Sequence, residues 1–207
     1  MAGKLYYIHD PMCSWCWGYR PVWDALQASL PSSVKVEYVA GGLAPDSNEP
    51  MPMELQATIQ GHWRNIESKL GTEFNFDFWA NNKPRRSTYM ACRAAIAAYA
   101  QGCQVEMIHA IQQGYYLRAL NPSDDDVLIQ LAAELSASEC SLDVARFGAD
   151  LVSSATQTEL ERQIRLARRL PIQGFPSLVL EWEGGLQPIE INYMNSSEAL
   201  SEIKKLL

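Results

Sequence analysis

A chain of 207 residues, 47% hydrophobic and 20% charged, carries enough apolar sequence to bury a sizeable core. A net charge of −7 argues against a nucleic-acid partner, which needs basic phosphate contacts. No run of about 18 apolar residues occurs, so no transmembrane helix and no membrane partner are expected.

Leu5-Tyr6-Tyr7-Ile8 reads as a buried strand, ended by the breaker Asp10-Pro11. A helix follows from about Cys13, with Tyr19, Val22 or Trp23, and Leu26 on its inner face. Pro21 inside that pattern should kink the helix, because proline lacks the N–H and crowds the preceding turn. Pro31-Ser32-Ser33 closes it, and Val34 to Ala40 alternates as a second strand. The opening is therefore a βαβ unit.

Residues 49–154 change character. After Pro45, Pro50 and Pro52, a helix is expected from Glu54 to Leu70, stopped by Gly71. An aromatic loop (Phe74, Phe76, Phe78, Trp79) leads to helices over Ser87–Gln101, Val105–Leu117 and Val127–Leu135. Ser123 is the N-cap candidate for the last of these, and a further helix is expected over Ser141–Ser153.

Strand signals then return. Thr156-Gln157-Thr158-Glu159 reads as a capping box opening a helix with Leu160, Ile164 and Ala167 inward. Pro171 ends it. A Gln173-Gly174-Phe175-Pro176 turn precedes a strand from Ser177 to Trp182. Gly184-Gly185 turns into a strand from Leu186 to Tyr193, and a helix from Ser196 or Ser197 closes the chain. The fold class is α/β, a central mixed sheet flanked by helices with a large all-helical insertion. The expected domains are 1–48 plus 155–207, and the insertion 49–154.

The chemistry concentrates in Cys13-Ser14-Trp15-Cys16 at the first strand-to-helix turn. Cysteines three apart on a helix bring their Cα atoms into the range of about 4.4–6.8 Å that a disulfide requires. At a helix start, unpaired N–H groups and the helix dipole favour a thiolate. Cys13 is thus the expected nucleophile and Cys16 the resolving thiol. Zinc is the alternative reading, but Cys92, Cys103 and Cys140 are isolated, and His9, His62 and His109 form no ligand motif. No metal is expected, and an inert reduced pair is the blander alternative. The odd count of five cysteines argues against a disulfide scaffold.

Strand, C-x-x-C, helix and strand, with a later Phe175-Pro176 turn before a hairpin and final helix, resemble the thioredoxin superfamily. Pro21, eight residues past Cys13, matches the proline of that superfamily's active-site helix. The helical insertion narrows the resemblance to DsbA-like oxidoreductases. Asp10-Pro11-Met12-Cys13-Ser14-Trp15-Cys16 resembles the FrnE-like branch, which implies a cytoplasmic location. The resemblance covers nearly the whole chain.

It implies a thiol–disulfide oxidoreductase, reductase or isomerase, acting on protein or small-molecule disulfides. Pro176 would be a cis-proline facing the cysteines. Ser14, Trp15 and Phe175 would contact substrate, Phe175 through its backbone. No cofactor is implied beyond the dithiol, with glutathione a candidate co-substrate. Two departures stand out. The family's buried acid, six residues before the nucleophile, is replaced by Tyr7, and Glu37 could substitute only by pointing toward Cys16. Ser14-Trp15 is neither the Gly-Pro of thioredoxins nor the Pro-His of the periplasmic oxidant, so the direction of electron flow stays open.

Two rival functions remain. Kappa-class glutathione transferases and chromene-carboxylate isomerases share the inserted-helix fold but usually carry serine at the nucleophile position and lack the second cysteine. A non-catalytic binding or chaperone-like module would use the aromatic surface instead.

Among the remaining features, Cys92, Ile96, Tyr99 and Cys103 share a helical face, so Cys92 and Cys103 read as core residues rather than a second redox pair. Arg162, Arg165, Arg168 and Arg169 read as a solvated face. Trp63, Trp79, Tyr115 and Tyr116 read as core, with a groove beside the insertion as the alternative. The sequence points to no oligomeric state.

Overall fold

The computed structural model describes residues 3–138, 140–183 and 185–207. Four strands, β1 (Gly3–His9), β2 (Val34–Ala40), β3 (Ser177–Trp182) and β4 (Gly185–Ile189), form one mixed sheet in the order β2-β1-β3-β4. β1 runs parallel to β2, Tyr7 opposite Tyr38, and antiparallel to β3, Tyr7 opposite Leu178. β3 and β4 are antiparallel, and Pro188, which cannot donate to a ladder, sits on the outer strand.

Both faces of the sheet are covered, which explains the unbroken apolar run of β1. On one face Leu5, Tyr7, Leu178 and Leu180 pack with Tyr19, Trp23 and Leu26 of α1 (Ser14–Ser29) and Ile203 of α9 (Ser197–Leu206). On the other, Tyr6, Ile8, Val39 and Val179 meet Ala167 and Leu170, at the end of helix α8 (Ser154–Arg169). Trp23 rather than Val22 is the buried member of the α1 pattern, and Pro21 lies on the exposed side of the helix.

Between β2 and α8 run α2 (Met53–Leu70), α3 (Asp77–Asn81), α4 (Tyr89–Tyr99), α5 (Gln104–Tyr116), α6 (Asp125–Ser138) and α7 (Val144–Leu151). Gly71 ends α2 in the left-handed region (φ 68°), its N–H bonded to the Glu67 carbonyl. Trp63, with no exposed surface, is the hub of the insertion's core, touching the rings of Phe74, Phe78, Trp79, Tyr115 and Tyr116. These aromatics fill a core; none of the described cavities is lined by them.

Several local expectations need correction. The cap of α8 is Ser153, whose hydroxyl accepts the Thr156 N–H at 3.1 Å; Thr156 is the capped residue rather than the cap. The Ser123 hydroxyl does not cap α6 but donates to the Ser87 carbonyl at 2.7 Å. β4 stops at Ile189, short of Tyr193, and the chain turns at Asn192, whose side chain accepts the Met194 N–H at 2.8 Å. Tyr99 is 68% exposed because α4 ends there, the chain turning away through Gly102 at φ 75°. Gly184 of the expected hairpin turn lies outside the described residues.

The cysteine reading changes most. Cys92 is a buried free thiol, as expected of core. Cys103 is buried too, but forms a disulfide with Cys140 across a Cα–Cα distance of 6.1 Å. The two lie 37 residues apart, one opening α5 and one beyond α6, so only the packing of the insertion brings them together.

Candidate active site

The strand-to-helix turn is built by local hydrogen bonds. The Asp10 carboxylate accepts the Met12 N–H at 2.8 Å, and the Asp10 carbonyl accepts the Cys13 N–H at 3.0 Å. Cys13 is the extended N-cap of α1 (φ −83°, ψ 116°), and its carbonyl takes the Trp17 N–H at 3.0 Å. No acidic side chain occupies the first turn itself, and the acid beside the helix start is Asp10, three residues before Cys13.

The two thiols are differently placed. Cys13 is 6% exposed and Cys16 not at all. Burial, then the neighbouring Cys13, pushes the Cys16 thiol well above the ordinary range. Cys13 Sγ donates to the carbonyl of Phe175 at 3.5 Å, and Phe175–Pro176 is a cis peptide bond. The structure thus brings Cys13, Cys16, Phe175 and Pro176 together from opposite ends of the chain. Phe175 is half-buried, and its N–H has no partner among the described residues. Its ring lies over Gly41, where any Cβ would collide with it.

Trp15 is half-buried, edge-on to Tyr193 with ring centres 5.2 Å apart; Ser14 beside it is also half-buried. Trp17 packs instead, stacked on Tyr116 at 5.6 Å with its indole N–H donating to the Glu73 carbonyl at 3.0 Å. A depression of about 340 Å³ flanks the Phe175 loop, lined by Gly41, Gly42, Arg168 and Gln173 among others.

Glu37 does not reach the dithiol. It pairs with Lys4 at 3.1 Å, and its register partner is Tyr6, on the opposite face of β1 from Tyr7. It lines a separate cleft of about 690 Å³ with Lys35, Tyr99 and Arg162. The buried acid of the site is Asp10, which sequence reasoning treated only as a breaker. It has no exposed surface, and its second oxygen accepts from the Leu43 N–H (2.8 Å), the Thr88 hydroxyl (2.7 Å) and Cys92 Sγ (3.5 Å). An Asp directly before Pro was the one local signal, since such residues fold back on their own backbone. The arginine stripe is a solvated face: Arg162 pairs with Glu159 and Arg165 with Glu161 along α8.

The thioredoxin family model matches residues 6–184. Among solved structures, a candidate protein disulfide isomerase from Nitrosomonas europaea is similar at 27% identity, with a TM-score of 0.83 over 99% of this chain and 97% of that one. The cytosolic disulfide reductase DsbM from Pseudomonas aeruginosa gives 24% identity and a TM-score of 0.78, covering 98% and 97%. Its complex with GSH gives 23% and 0.75, covering 98% of each chain. Among curated proteins, the ClpXP adapter protein SpxH of Halalkalibacterium halodurans is 24% identical over 182 residues. That match takes in 85% of this chain but only 58% of the adapter, so the chain spans less than two thirds of that relative.

Proposed function

This chain belongs to the thioredoxin family, and from that premise we propose that it is a disulfide reductase working through Cys13 and Cys16 by way of a mixed disulfide. The observation that carries the reading is the Cys13 thiol, at a helix start, hydrogen-bonded to the Phe175 carbonyl with Cys16 buried behind it. The Cys13 thiolate attacks one sulfur of a substrate disulfide, forming the Cys13–substrate bond and releasing the other sulfur as a thiolate. Cys16 then loses its proton to solvent and attacks Cys13 Sγ. The substrate's second sulfur leaves, and the two electrons have passed from the Cys13–Cys16 dithiol to the substrate.

Phe175 and Pro176 position an extended substrate strand beside Cys13, and Ser14 and Trp15 form the adjoining contact surface. The reaction needs no metal or cofactor beyond the dithiol. The dithiol is regenerated by a small thiol, for which glutathione is the natural candidate given the DsbM complex with GSH. Arg168 in the depression beside Phe175 suits a carboxylate of such a molecule. A cytoplasmic location accords with this direction of electron flow, and DsbM is described as cytosolic.

Insulin reduction in the presence of reduced glutathione tests the proposal. The parent protein should accelerate precipitation of the insulin B chain, and Cys13→Ser should not. Equal activity of the two would sink it. A second reading, a partner-binding adapter, draws on the likeness to SpxH. It predicts that a partner stays bound after both thiols are alkylated, whereas a thiol-dependent capture supports the enzyme.

A further inference from the structure

We propose that the open edge of β2 is a docking site for an extended, acidic segment of a partner protein, which adds to the sheet as a further strand. The site lies apart from the dithiol and does not depend on the thiol chemistry above.

β2 stands at one end of the sheet order, so only its β1 side is paired. Along a parallel ladder, alternate residues direct both backbone groups to the same side. The Gly3 N–H donates to the Ser33 carbonyl at 2.9 Å, and the Gly41 N–H donates to the His9 carbonyl at 2.7 Å. Both ends of the ladder thus fix the odd-numbered residues of β2 as those facing β1. Val36, Tyr38 and Ala40 turn their N–H and C=O groups outward. The fold itself satisfies one of these: the Ala40 N–H donates to Oε1 of Gln163, a buried side chain of α8, at 2.8 Å. The N–H groups of Val36 and Tyr38 have no such partner among the described residues.

The cleft of about 690 Å³ lies against this edge, with Lys35 to Tyr38 on one wall and residues of α4, α7 and α8 on the other. Its outward backbone groups repeat about every 6.6 Å, two residues of strand, which is the period of an extended chain. The helical wall decides between occupants. In a second copy β2 is recessed behind the same helices, so two such edges do not meet. A single segment enters where a sheet cannot.

The side chains around the cleft select the segment. Tyr99 on its lining is 68% exposed, and Val152, beside the lining residue Ser153, is 66% exposed. They offer apolar contact at the rim. Among the charged lining residues, Lys4 pairs with Glu37, Arg146 with Asp150 and Arg162 with Glu159. Lys35 is exposed and has no ion-pair partner among the described residues. It shares its face of β2 with Val39, the face that packs toward α8. An edge lysine deters apolar strands, and a carboxylate opposite it on the added strand turns that repulsion into a cross-strand pair.

The probe is a blocked, fluorescein-labelled heptapeptide of alternating valine and threonine with one central glutamate. Anisotropy should show that it binds the parent protein, and binds equally after Cys13 is alkylated. A docked strand bonds through one of its two edges. Backbone N-methylation of one set of alternate peptide residues should therefore weaken binding tenfold or more, and of the other set by less than about twofold. Val36→Pro removes an outward N–H, keeps the ladder to β1, and should weaken binding tenfold or more. Lys35→Glu should weaken it about fivefold, and lysine in place of the peptide's glutamate should restore it. Amide exchange at Val36 and Tyr38, followed by NMR, should slow when the peptide is bound.

No binding at about 1 mM peptide would overturn the proposal. Equal effects of the two N-methylation patterns, or unprotected Val36 and Tyr38 amides, would do the same. Loss of binding on alkylation would overturn it by placing the peptide at the dithiol. Dissociation of a dimer by the peptide would overturn it by giving the edge to a second copy. Where Val36→Pro does not fold, Lys35→Glu and the methylated peptides still decide.

Discussion

The ring of Phe175 rests on the bare Cα of Gly41, and the Gly41 N–H is itself fixed to the His9 carbonyl at 2.7 Å. Gly41 follows β2 directly, and His9 is the last residue of β1, so the sheet sets the height of the ring. The carbonyl of the same Phe175 receives the Cys13 thiol. Gly41→Ala must therefore displace the ring, and the carbonyl moves wherever the ring carries its backbone with it. Overpacking of this kind costs about 1–3 kcal/mol in stability. Misplacement of a reacting geometry by about 1 Å costs on the order of a hundredfold in rate. The expected result is a folded protein whose kcat/KM for insulin reduction falls by tenfold or more, read beside its urea midpoint. Unchanged kinetics would show that the Phe175 loop does not need this seat.

Removing the resolving thiol should trap the substrate. With Cys16→Ala, the mixed disulfide on Cys13 has no internal attacker and persists until an external thiol arrives. Incubation with oxidised glutathione should add one glutathione to Cys16→Ala, by mass spectrometry, and none to Cys13→Ala. Labelling of Cys13→Ala at Cys16 would reverse the assigned roles. Because Cys16 is fully buried and Cys13 is not, access and chemistry point the same way.

The legibility of this site follows sequence distance. The Cys13–Cys16 turn, the helix beyond it and the alternation of β2 are local, so spacing and turn chemistry reveal them. Phe175-Pro176 was legible only through its resemblance, since nothing in residues 173–176 says what they face. The contacts that tune the site were not legible. Cys92 meets Asp10 across 82 residues, and Thr88 meets it across 78. The capping errors have another cause. Ser153 and Thr156 are both good caps by type, and only the backbone decides which one precedes the first turn. The aromatics of the insertion read as core because rings mostly fill cores, and Trp63, Tyr115 and Tyr116 do so, but which rings meet was not legible.

The Cys103–Cys140 bond should stabilise the insertion. It closes a loop with a sequence separation of 37 between the start of α5 and the segment after α6. A cross-link of that span contributes about 2–4 kcal/mol, chiefly by restricting the unfolded chain. Cys140→Ser should lower the stability measured by urea unfolding by that amount, while insulin reduction below the transition stays near the parent rate. Dithiothreitol should destabilise the parent protein and leave Cys140→Ser unchanged. Equal stability of parent and variant in the absence of reductant would mean the bond does not form in solution.

His9 gives the fold an acid-sensitive element independent of the cysteines. It is 2% exposed, stacked on Tyr7 with ring centres 5.2 Å apart and edge-on to Tyr38. Its Nδ1 has no hydrogen-bond partner among the described residues. Burial lowers its pKa from 6.5 to about 3, so the folded protein holds it neutral. The unfolded chain takes up a proton near pH 6.5 while the native state takes it up only near pH 3. Between those limits the unfolded state binds more protons, so stability falls as pH falls, by about 1.4 kcal/mol per pH unit for one group. Above the upper limit both states are neutral and the contribution is flat. His9→Phe keeps the stacked ring and removes the titration. Its stability, measured by urea unfolding between pH 6 and pH 4, should lose about one proton's worth of slope relative to the parent. Parallel stability curves for the two proteins would show that His9 is protonated alike in the folded and unfolded chains.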